Sequence, residues 1–341
     1  MMKAYCEKLA NHLWYRESQS LWVLLTTLLL VPFSYGYRVL SALRAKQLKQ
    51  RAAVLFQDIP VCVVGNITVG GTGKTPFVIH LAELLKKAGY HPGIISRGYQ
   101  GKLANQQNTW VTLQTSFQEV GEEPILIYQK TGCPVVVGKN RNQSLQLLSQ
   151  THPEVNFILS DDGLQHYALK RDIEIALIDG DRQLGNGFCL PAGPLREPAH
   201  RLKTVDFRIV KQGSFPDAFT MNLVFSNVVL LKDPNQKIPI TAWSGKTVHA
   251  VTGIGNAHSF FKALVHEGIQ IIPHRFPDHY IFKAQDLRFE DGHPIVMTEK
   301  DAIKCKDFDH DTVWMMPIEA QLPIEFETLF LRRVRDGQKA F

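Results

Sequence analysis

The sequence has few cysteines, and those it has lie far apart. Its 341 residues include five cysteines, and no C-x-x-C pair joins any two of them, which excludes a zinc knuckle and a dithiol redox pair. The odd number and wide spacing also exclude a disulfide scaffold and indicate a reduced, cytosolic catalytic body. We expect Cys62, which stands in an apolar run, to be a small buried side chain. No chemical role is assigned to any of the five, Cys6, Cys62, Cys133, Cys189 and Cys305.

A large charge of one sign is also missing. The 38 Lys and Arg residues against 32 Asp and Glu residues leave a formal net charge of +6. This charge is too small to require nucleic acid, but it suits an anionic substrate or an anionic membrane face. The composition, 45% hydrophobic and 21% charged, excludes a disordered chain, and the length is sufficient for two hydrophobic cores.

One long apolar run stands near the N-terminal end, at 18–37. It has about 20 residues, the length that a helix needs to cross a bilayer. Glu7 and Glu17 precede it and no small-residue cleavage site ends it, which excludes a simple signal peptide. We expect membrane attachment, with the helix either spanning the bilayer or lying at its interface; the alternative is a buried helical hairpin. Cations follow the run and place that side in the cytoplasm, namely Arg38, Arg44, Lys46, Lys49 and Arg51.

After residue 52, short apolar runs alternate with helical patterns, which is typical of a parallel sheet covered by helices on both faces. A first, P-loop type domain (52–215) has predicted strands at 60–64, 92–95, 134–137, 157–160, 173–178 and 207–210, and helices at 75–88 and 141–150. A proline-containing region predicts a linker at 216–245. Strands at 248–252, 269–272, 294–298 and 313–316 predict a second, smaller α/β domain (246–341). With the N-terminal segment (1–51), the expected fold is two α/β domains with a cleft between them.

The strongest local motif is GNITVGGTGKT at 65–75, between a predicted strand and a predicted helix. Such a loop binds phosphates because its main-chain N–H groups converge without side chains in the way, and the helix N-terminus adds positive charge. Its lysine reaches the terminal phosphates and its hydroxyl binds magnesium. Thr68 replaces the first glycine of the usual pattern. The predicted nucleotide-binding residues are Thr68, Val69, Gly70, Gly71, Thr72, Gly73, Lys74 and Thr75.

Two features of other P-loop proteins are missing. A P-loop ATPase that switches proteins on membranes would carry lysine where Val69 stands. A guanine-specific GTPase would carry N-K-x-D, and the TEKD segment at 298–301 does not fit that pattern. ATP is therefore the expected nucleotide.

An aspartate pair directly follows the predicted strand at 157–160. A carboxylate at this edge of the sheet lies beside the phosphate loop. We predict Asp161 and Thr75 as magnesium ligands, and Asp162 and Lys74 as catalytic residues. The alternative is that the two aspartates only shape the turn at Gly163.

Seven segments carry a more specific resemblance. They are GNITVGGTGKTP (65–76), SRGYQGK (96–102), GEEPILIYQ (121–129), DDGLQHYALKRD (161–172), LGNGFCLPAGPLREP (184–198), FPDHY (276–280) and MTEKDAIKC (297–305). In this order they resemble the tetraacyldisaccharide 4'-kinases of lipid A biosynthesis. The resemblance implies transfer of the γ-phosphoryl group of ATP, with Mg²⁺, to the 4'-hydroxyl of a membrane-held tetraacyldisaccharide 1-phosphate, which gives lipid IVA. It also implies the cytoplasmic face of the inner membrane.

The resemblance implies roles for individual residues as well. In the family, the first acid of a G-D-E-P motif pairs with the histidine of a D-H motif to form the base, and Glu122 and His279 stand at these positions. Because glutamate replaces aspartate, either the loop at Gly121 retreats or the base role shifts toward His279 or a neighbouring carboxylate. Either arginine of the predicted substrate set binds a phosphate or instead holds its loop to a carboxylate such as Glu197. The set is Arg97, Tyr99, Gln165, His166, Asn186 and Arg196.

Two other function classes stay open. A membrane-associated P-loop ATPase acting on protein partners would show protein-stimulated ATP turnover without a phosphorylated sugar. A nucleotide-gated scaffold would tolerate the loss of Glu122 and His279. The kinase reading predicts a lipid substrate and a membrane surface as partners, with no nucleic acid and no obligate protein partner.

Overall fold

The computed structural model describes residues 2–15, 20–51, 59–99, 101–308 and 311–338. Several predicted features lie outside the described residues: Glu17, the start of the apolar run at 18–19, and the start of the first predicted domain at 52–58. The side chains of Cys6, Glu7 and Arg51 lie outside them as well.

The described residues form nine α-helices. They are α1 (Met2–Tyr15), α2 (Leu21–Arg51), α3 (Lys74–Lys87), α4 (Phe117–Val120), α5 (Glu122–Thr131), α6 (Arg141–Thr151), α7 (Ala257–His266), α8 (Glu299–Ala302) and α9 (Ile324–Gln338).

Fifteen strands build two sheets within the same described ranges. The strands are β1 (Val61–Gly65), β2 (Pro92–Ser96), β3 (Thr109–Trp110), β4 (Val135–Val137), β5 (Phe157–Ser160), β6 (Ile173–Asp179), β7 (Phe207–Lys211), β8 (Phe219–Val224), β9 (Asn227–Leu230), β10 (Lys237–Pro239), β11 (Thr247–Thr252), β12 (Gln270–Arg275), β13 (Ile295–Thr298), β14 (Val313–Met316) and β15 (Glu319–Gln321). The first sheet has the order β15-β8-β7-β6-β1-β5-β2-β4-β3, and the second has the order β10-β9-β14-β13-β11-β12.

The first sheet is parallel from β8 to β4, and antiparallel β15 and β3 form its edges. Alternate residues of β1 enter opposite cores: Cys62 and Val64 pack on the side of α3, α5 and α9, whereas Val61 and Val63 pack on the side of α6. All four are fully buried, which is why this strand reads as a continuous apolar run. The predicted α/β class with a large parallel sheet is confirmed, and Cys62 is buried as expected.

The second sheet follows the same design on a smaller scale. Its strands β12, β11, β13 and β14 are parallel, and β9 and β10 continue it in the antiparallel sense. Helix α7 covers one face, where Phe260 and Leu264 pack against Val248 and Ala250. The four strands predicted for this region correspond to β11, β12, β13 and β14.

The domain boundaries at 51, 215 and 245 stay predictions, but the predicted linker at 216–245 contains three strands. Strand β8 extends the first sheet, while β9 and β10 belong to the second. The prolines of this region hid the strand pattern. Pro239 lies in β10, at the edge of its sheet, where the missing N–H group is tolerated.

Residues 319–338 return to the first sheet, although the sequence pattern grouped them with the second domain. Strand β15 pairs with β8, and α9 buries Phe326, Phe330 and Val334 in the core that contains Phe77. These side chains are spaced four residues apart and therefore lie on one face of α9. The sequence pattern does not identify the surface that covers this face.

Helix α2 has one face against the protein and one exposed apolar face. By length and composition, Leu21–Gln50 is sufficient to cross a membrane. On the inner face Val23, Thr27 and Ser34 are buried, and the Ser34 hydroxyl donates to the Cys189 carbonyl over 2.7 Å. The outer face exposes large apolar side chains, among them Leu21, Leu25, Leu28, Leu29, Phe33 and Leu40.

Candidate active site

The loop at 66–73 joins β1 to α3 at the carboxyl edge of the first sheet. Gly73 has a left-handed φ of 81° directly before α3, and a Cβ there would lie 3.0 Å from Met221 Cε, so this position requires glycine. Lys74 Nζ lies 3.2 Å from Asn66 Oδ1 and 3.2 Å from Asp162 Oδ1. An amide and a carboxylate therefore hold the lysine that the motif assigns to phosphate binding.

The structure explains how the loop accommodates Thr68 in place of glycine. Thr68 is buried and forms a β-bridge with Leu195, and the Val69 N–H donates to the Pro194 carbonyl over 2.9 Å. The entry to the loop is thus fixed by a neighbouring segment. Residues 69–75 line a large cleft, whereas Thr68, a predicted nucleotide-binding residue, is absent from the lining that the described residues form.

The predicted aspartate pair lies at the end of β5, and its two members have different surroundings. Asp161 is buried; its Oδ2 accepts from the Ser96 hydroxyl over 3.1 Å, and its Oδ1 has no hydrogen-bond partner among the described residues. Burial, with the nearby Glu123 and Asp162 charges, raises the pKa of Asp161 to about 6. Burial also acts on Asp162, but the Lys74 and Arg196 charges hold its pKa below the ordinary value.

Thr75 and Asp161 supply donors that suit Mg²⁺. Thr75 is buried at the start of α3, and both residues line the cleft. A buried carboxylate oxygen without a protein partner is a fitting ligand for a hard cation. Among the described residues no cluster of three or more His, Cys, Asp or Glu could hold a metal alone. The residues therefore fit an ion that takes its remaining ligands from a nucleotide and water.

Glu122 and His279, the two residues predicted to act together as the catalytic base, lie close to each other in the cleft. Glu122 opens α5, and its Oε2 lies 3.4 Å from His279 Nδ1. The hydrogen bond to Glu122 raises the pKa of His279 above its ordinary value. Burial acts to raise the pKa of Glu122, but the His279 hydrogen bond and the Lys304 charge hold it below its ordinary value. Glu122 is therefore an ionised carboxylate near neutral pH.

Three charged residues at this place were not singled out by sequence reasoning. Lys300 pairs with Glu123, and Lys304 Nζ lies 3.4 Å from Glu122 Oε1. All come from motifs of the family resemblance. The motifs alone do not show which of their charged side chains face one another.

Five of the six predicted substrate-binding residues line the same cleft: Arg97, Tyr99, Gln165, His166 and Arg196. Arg196 NH1 lies 3.6 Å from Asp162 Oδ1 and 3.5 Å from Gln165 Oε1. Burial and the Arg141 charge lower the pKa of His166 to about 4, so this imidazole is neutral at pH 7.

Asn186 is the exception, because its contacts lie within the protein. Its Nδ2 donates to the Ala192 carbonyl over 2.8 Å, and its backbone N–H donates to the Trp14 carbonyl over 2.8 Å. It is absent from the cleft lining among the described residues. The contacts give Asn186 a role in joining its loop to α1.

The cleft is large, about 2160 Å³ in volume, and reaches from the phosphate loop to α2. Four cations of α2 enter its lining, Arg38, Arg44, Lys46 and Lys49. The cleft therefore joins an anion-binding loop to a basic segment that continues an exposed apolar helix.

A family model described as tetraacyldisaccharide-1-P 4'-kinase matches residues 26–335. The chain is 46% identical over 298 residues to a tetraacyldisaccharide 4'-kinase of Methylobacillus flagellatus, covering 86% of this chain and 88% of the relative. It is 44% identical over 329 residues to one of Coxiella burnetii, covering 95% of each chain. The chain belongs to the tetraacyldisaccharide 4'-kinase family. A crystal structure of LpxK from Aquifex aeolicus in complex with ATP is similar in fold, with a TM-score of 0.74, 29% identity, and coverage of 90% of this chain and 99% of that one.

Membership confirms the predicted family and enzyme class: the chain is a 4'-kinase of lipid A biosynthesis. Membership also relates the residues of the cleft to one reaction. The phosphate loop, the paired acids and the histidine of this tetraacyldisaccharide 4'-kinase family member all face one space.

Proposed function

We propose that this cleft transfers the γ-phosphoryl group of ATP to the 4'-hydroxyl of tetraacyldisaccharide 1-phosphate. The observation that carries the proposal is the approach of Glu122 to His279, over 3.4 Å, in the cleft that the phosphate loop also lines. Phosphoryl transfer needs charge neutralisation at one end and an oriented, deprotonated hydroxyl at the other. The cleft has residues suited to both ends.

At the nucleotide end, the N–H groups of 70–75 and the Lys74 ammonium group bind the phosphate chain of ATP. Lys74 is held by Asn66 and Asp162, so it is oriented before the nucleotide arrives. When ATP binds, its terminal phosphates become additional partners of this cation. Asp162 keeps Lys74 in place through a charge-assisted contact.

Thr75 and Asp161 would hold Mg²⁺ together with phosphate oxygens of the nucleotide. A bound magnesium ion neutralises phosphate charge and orients the phosphates. The buried Oδ1 atom of Asp161, which has no hydrogen-bond partner in the part of the chain that the structure describes, is available to such an ion.

At the acceptor end, Glu122 accepts the proton of the 4'-hydroxyl while the hydroxyl oxygen forms its bond to the γ-phosphorus and the bond to ADP breaks. His279 holds the carboxylate through the Oε2 atom. The extra methylene of glutamate is accommodated because Gly121, with a φ of 89°, lies before α5 and allows a sharp entry. This arrangement supports the proposal that Glu122, rather than a neighbouring acid, is the base.

The anionic and polar parts of the sugar would be bound by Arg196 and Arg97, with Tyr99, Gln165 and neutral His166 beside them. A planar guanidinium binds phosphate oxygens in pairs. The α2 cations at the far end of the cleft suit the same anionic headgroup.

We further propose that α2 fixes the enzyme at the cytoplasmic face of the inner membrane. Acyl chains then stay in the bilayer while the headgroup enters the cleft, because moving a chain into water costs about 0.8 kcal/mol per CH₂. Helix α2 carries both the exposed apolar face and the cations that line the cleft. The acyl chains and the headgroup of the lipid therefore have adjacent sites.

Transfer of labelled γ-phosphate from ATP to a lipid-extractable disaccharide tests the proposal. Lys74→Ala should lower transfer by about 100-fold or more, while Lys87→Ala, an exposed lysine at the other end of α3, should leave it unchanged. A membrane ATPase acting on proteins would instead hydrolyse ATP without labelling the lipid fraction. That outcome would refute the kinase assignment.

A further inference from the structure

A short charged segment (299–304) joins the second sheet to α5. It follows β13 and makes three ion pairs with α5: Glu299 with Lys130, Lys300 with Glu123, and Lys304 with Glu122. Two of these pairs have a partly exposed cation, whereas the Lys304 side chain has no exposed surface. An ammonium group buried to this extent requires counterions, because the lost hydration is expensive.

Lys304 has two carboxylate neighbours. Its Nζ lies 2.8 Å from Asp301 Oδ1 and 3.4 Å from Glu122 Oε1, and 5.2 Å from the centre of the Phe282 ring. Asp301 lies on the same segment as Lys304, whereas Glu122 comes from α5, which packs on the first sheet. One buried cation is therefore shared between a structural acid and the acid that we assign as the base.

Asp301 connects this cation to the backbone that carries His279. Its Oδ2 accepts from the Thr252 hydroxyl over 2.9 Å and from the Gly253 N–H over 3.1 Å. The Gly253 carbonyl in turn accepts from the His279 N–H over 3.0 Å. Lys304 and the backbone of His279 are thus connected through Asp301 and Gly253.

The two oxygens of Glu122 have different partners. His279 Nδ1 lies against Oε2, and Lys304 Nζ lies against Oε1, each at 3.4 Å. We propose that Lys304 is a positioning residue for phosphoryl transfer: held by Asp301, its ammonium group orients Glu122 from the side opposite His279 and keeps the carboxylate ionised for proton removal.

This inference rests on the proposed function, because it assigns to Lys304 an effect on the base of that reaction. A lysine with only a structural role would lower the stability of the fold and the amount of active enzyme. A positioning residue lowers the turnover of each folded molecule and changes how that turnover depends on pH.

Lys304→Met removes the charge and keeps a long apolar side chain for the buried space. We expect kcat to fall by about 10- to 100-fold, with the affinity for ATP unchanged, as for a residue that acts through a general base. The acid limb of the kcat profile should move up by about one pH unit, because Glu122 would lose Lys304 from the described cations that lower its pKa, which are Lys304, His279 and Lys300. Lys306→Met, which removes a positive charge from an exposed lysine two residues away, should change neither quantity.

A double-mutant cycle with Glu122→Gln separates positioning from packing. Once the carboxylate is gone, Lys304→Met should lower kcat by less than about 3-fold. The effects of two substitutions on kcat fail to add only when the two residues interact. If Lys304→Met alone does not fold, the Asp301→Asn/Lys304→Met chain should regain its melting temperature, because the nearer buried carboxylate is neutralised together with its cation. Equal losses of kcat in both backgrounds, or no recovery of folding, would overturn the proposal.

The imidazole titration of His279, followed by NMR in the absence of substrate, gives a readout that does not need the reaction. Loss of Lys304 leaves Glu122 more dependent on its histidine, so the His279 pKa should rise in Lys304→Met. The facing groups are Glu122, Asp278 and Lys300, and all three are unchanged in this variant. An unaltered His279 titration would overturn the role of Lys304. A failure of the wild-type enzyme to phosphorylate the lipid would refute only the proposed reaction.

Discussion

His279 reaches Glu122 from a strained backbone position. Its φ is 61°, in the left-handed region that residues other than glycine rarely adopt. Its N–H donates to the Gly253 carbonyl over 3.0 Å, and its Nδ1 lies 3.4 Å from Glu122 Oε2. A side chain from the second sheet's side therefore completes a site that begins on a helix of the first, and such strain is typical of functional positions.

Replacing Glu122 by glutamine should remove the base and keep the shape of the side chain. We expect kcat to fall by about 100-fold or more, while the affinity for ATP changes little, because proton removal contributes on this scale. Lipid phosphorylation and nucleotide binding, measured on the same preparation, test this. Glu325→Gln, at an exposed glutamate of α9, is the control; an equal loss of ATP affinity in Glu122→Gln would contradict a role limited to catalysis.

The Glu122 and His279 pair should make stability depend on pH. The pKa of His279 is raised above 6.5, so its contribution is complete below pH 6.5 and disappears as pH rises through the raised value. The pKa of Glu122 is lowered below 4.5, so its contribution is complete above pH 4.5 and disappears as pH falls through the lowered value.

Urea unfolding between pH 5 and pH 9 checks this prediction. The difference in unfolding free energy between the wild type and Glu122→Gln should be largest near pH 5.5 and smaller by about 1 kcal/mol at pH 9. A difference that does not vary with pH would show that the pair does not interact in solution.

Gly121 should tolerate no side chain. Its φ is 89°, and a Cβ would lie 2.6 Å from the Tyr99 carbonyl oxygen. Gly121→Ala should therefore destabilise the fold by about 2 to 4 kcal/mol, from the backbone conformation and the contact together. Gly132, at the other end of α5, has a φ of 63° and no atom within 4 Å of a Cβ, so Gly132→Ala isolates the backbone cost of about 1 kcal/mol.

Thermal melting of both glycine variants gives the comparison. If the two substitutions destabilise equally, the close approach at Tyr99 does not occur in solution. Kinetic assays of Gly121→Ala should also show a loss of turnover, because the same peptide sets the position of Glu122.

Phe326 should be essential to the first core although it lies near the end of the chain. It is fully buried, and its ring centre lies 5.5 Å from that of Phe207 and 5.9 Å from that of Phe77. Phe326→Ala should cost about 3 to 5 kcal/mol. Leu329→Ala, on the exposed side of the same helix, should lower the free energy of unfolding by less than about 1 kcal/mol, measured with denaturant. Equal losses for the two variants would show that α9 does not bury Phe326 in this core.

The outer face of α2 should carry membrane attachment. Leu25, Leu29 and Phe33 are four residues apart and exposed, so replacing all three by serine should move the enzyme from the membrane fraction to the soluble fraction. Activity on a short-chain, detergent-dispersed disaccharide should suffer less than activity on bilayer substrate. A triple serine variant at Leu113, Ile281 and Ile324, which are exposed elsewhere, should fractionate like the wild type.

Most of the first sheet could be predicted, because its strands are buried on both faces and read as short apolar runs between turns. The phosphate loop could be predicted for the same reason: its order of strand, glycines, lysine and hydroxyl has a direct physical meaning. Strands β8, β9, β10 and β15 could not, since they are short or lie at or near sheet edges, and their residues alternate less clearly.

The family resemblance predicted the pairing of Glu122 with His279, although the two residues are far apart in sequence. The ion pairs of Lys300 with Glu123 and of Lys304 with Glu122 could not be predicted, because they depend on how the 299–304 segment packs against α5. Asn186 shows the opposite case: it stands in a motif with the right chemistry, but its amide contacts the Ala192 carbonyl and the α1 backbone instead of the cleft. Lys304 had no distinguishing sequence pattern: Asp301 stands three residues before it, but its burial and its contact with Glu122 depend on the fold.

The return of residues 319–338 to the first sheet has a consequence for biosynthesis. During translation, strands β1 to β8 emerge long before α9, and the whole second sheet is made in between. Until the ribosome has released α9, the apolar surface around Phe77 and Phe207 lacks its contacts with Phe326 and Phe330. The nucleotide-binding half of the enzyme therefore finishes folding last, although most of it is synthesised first.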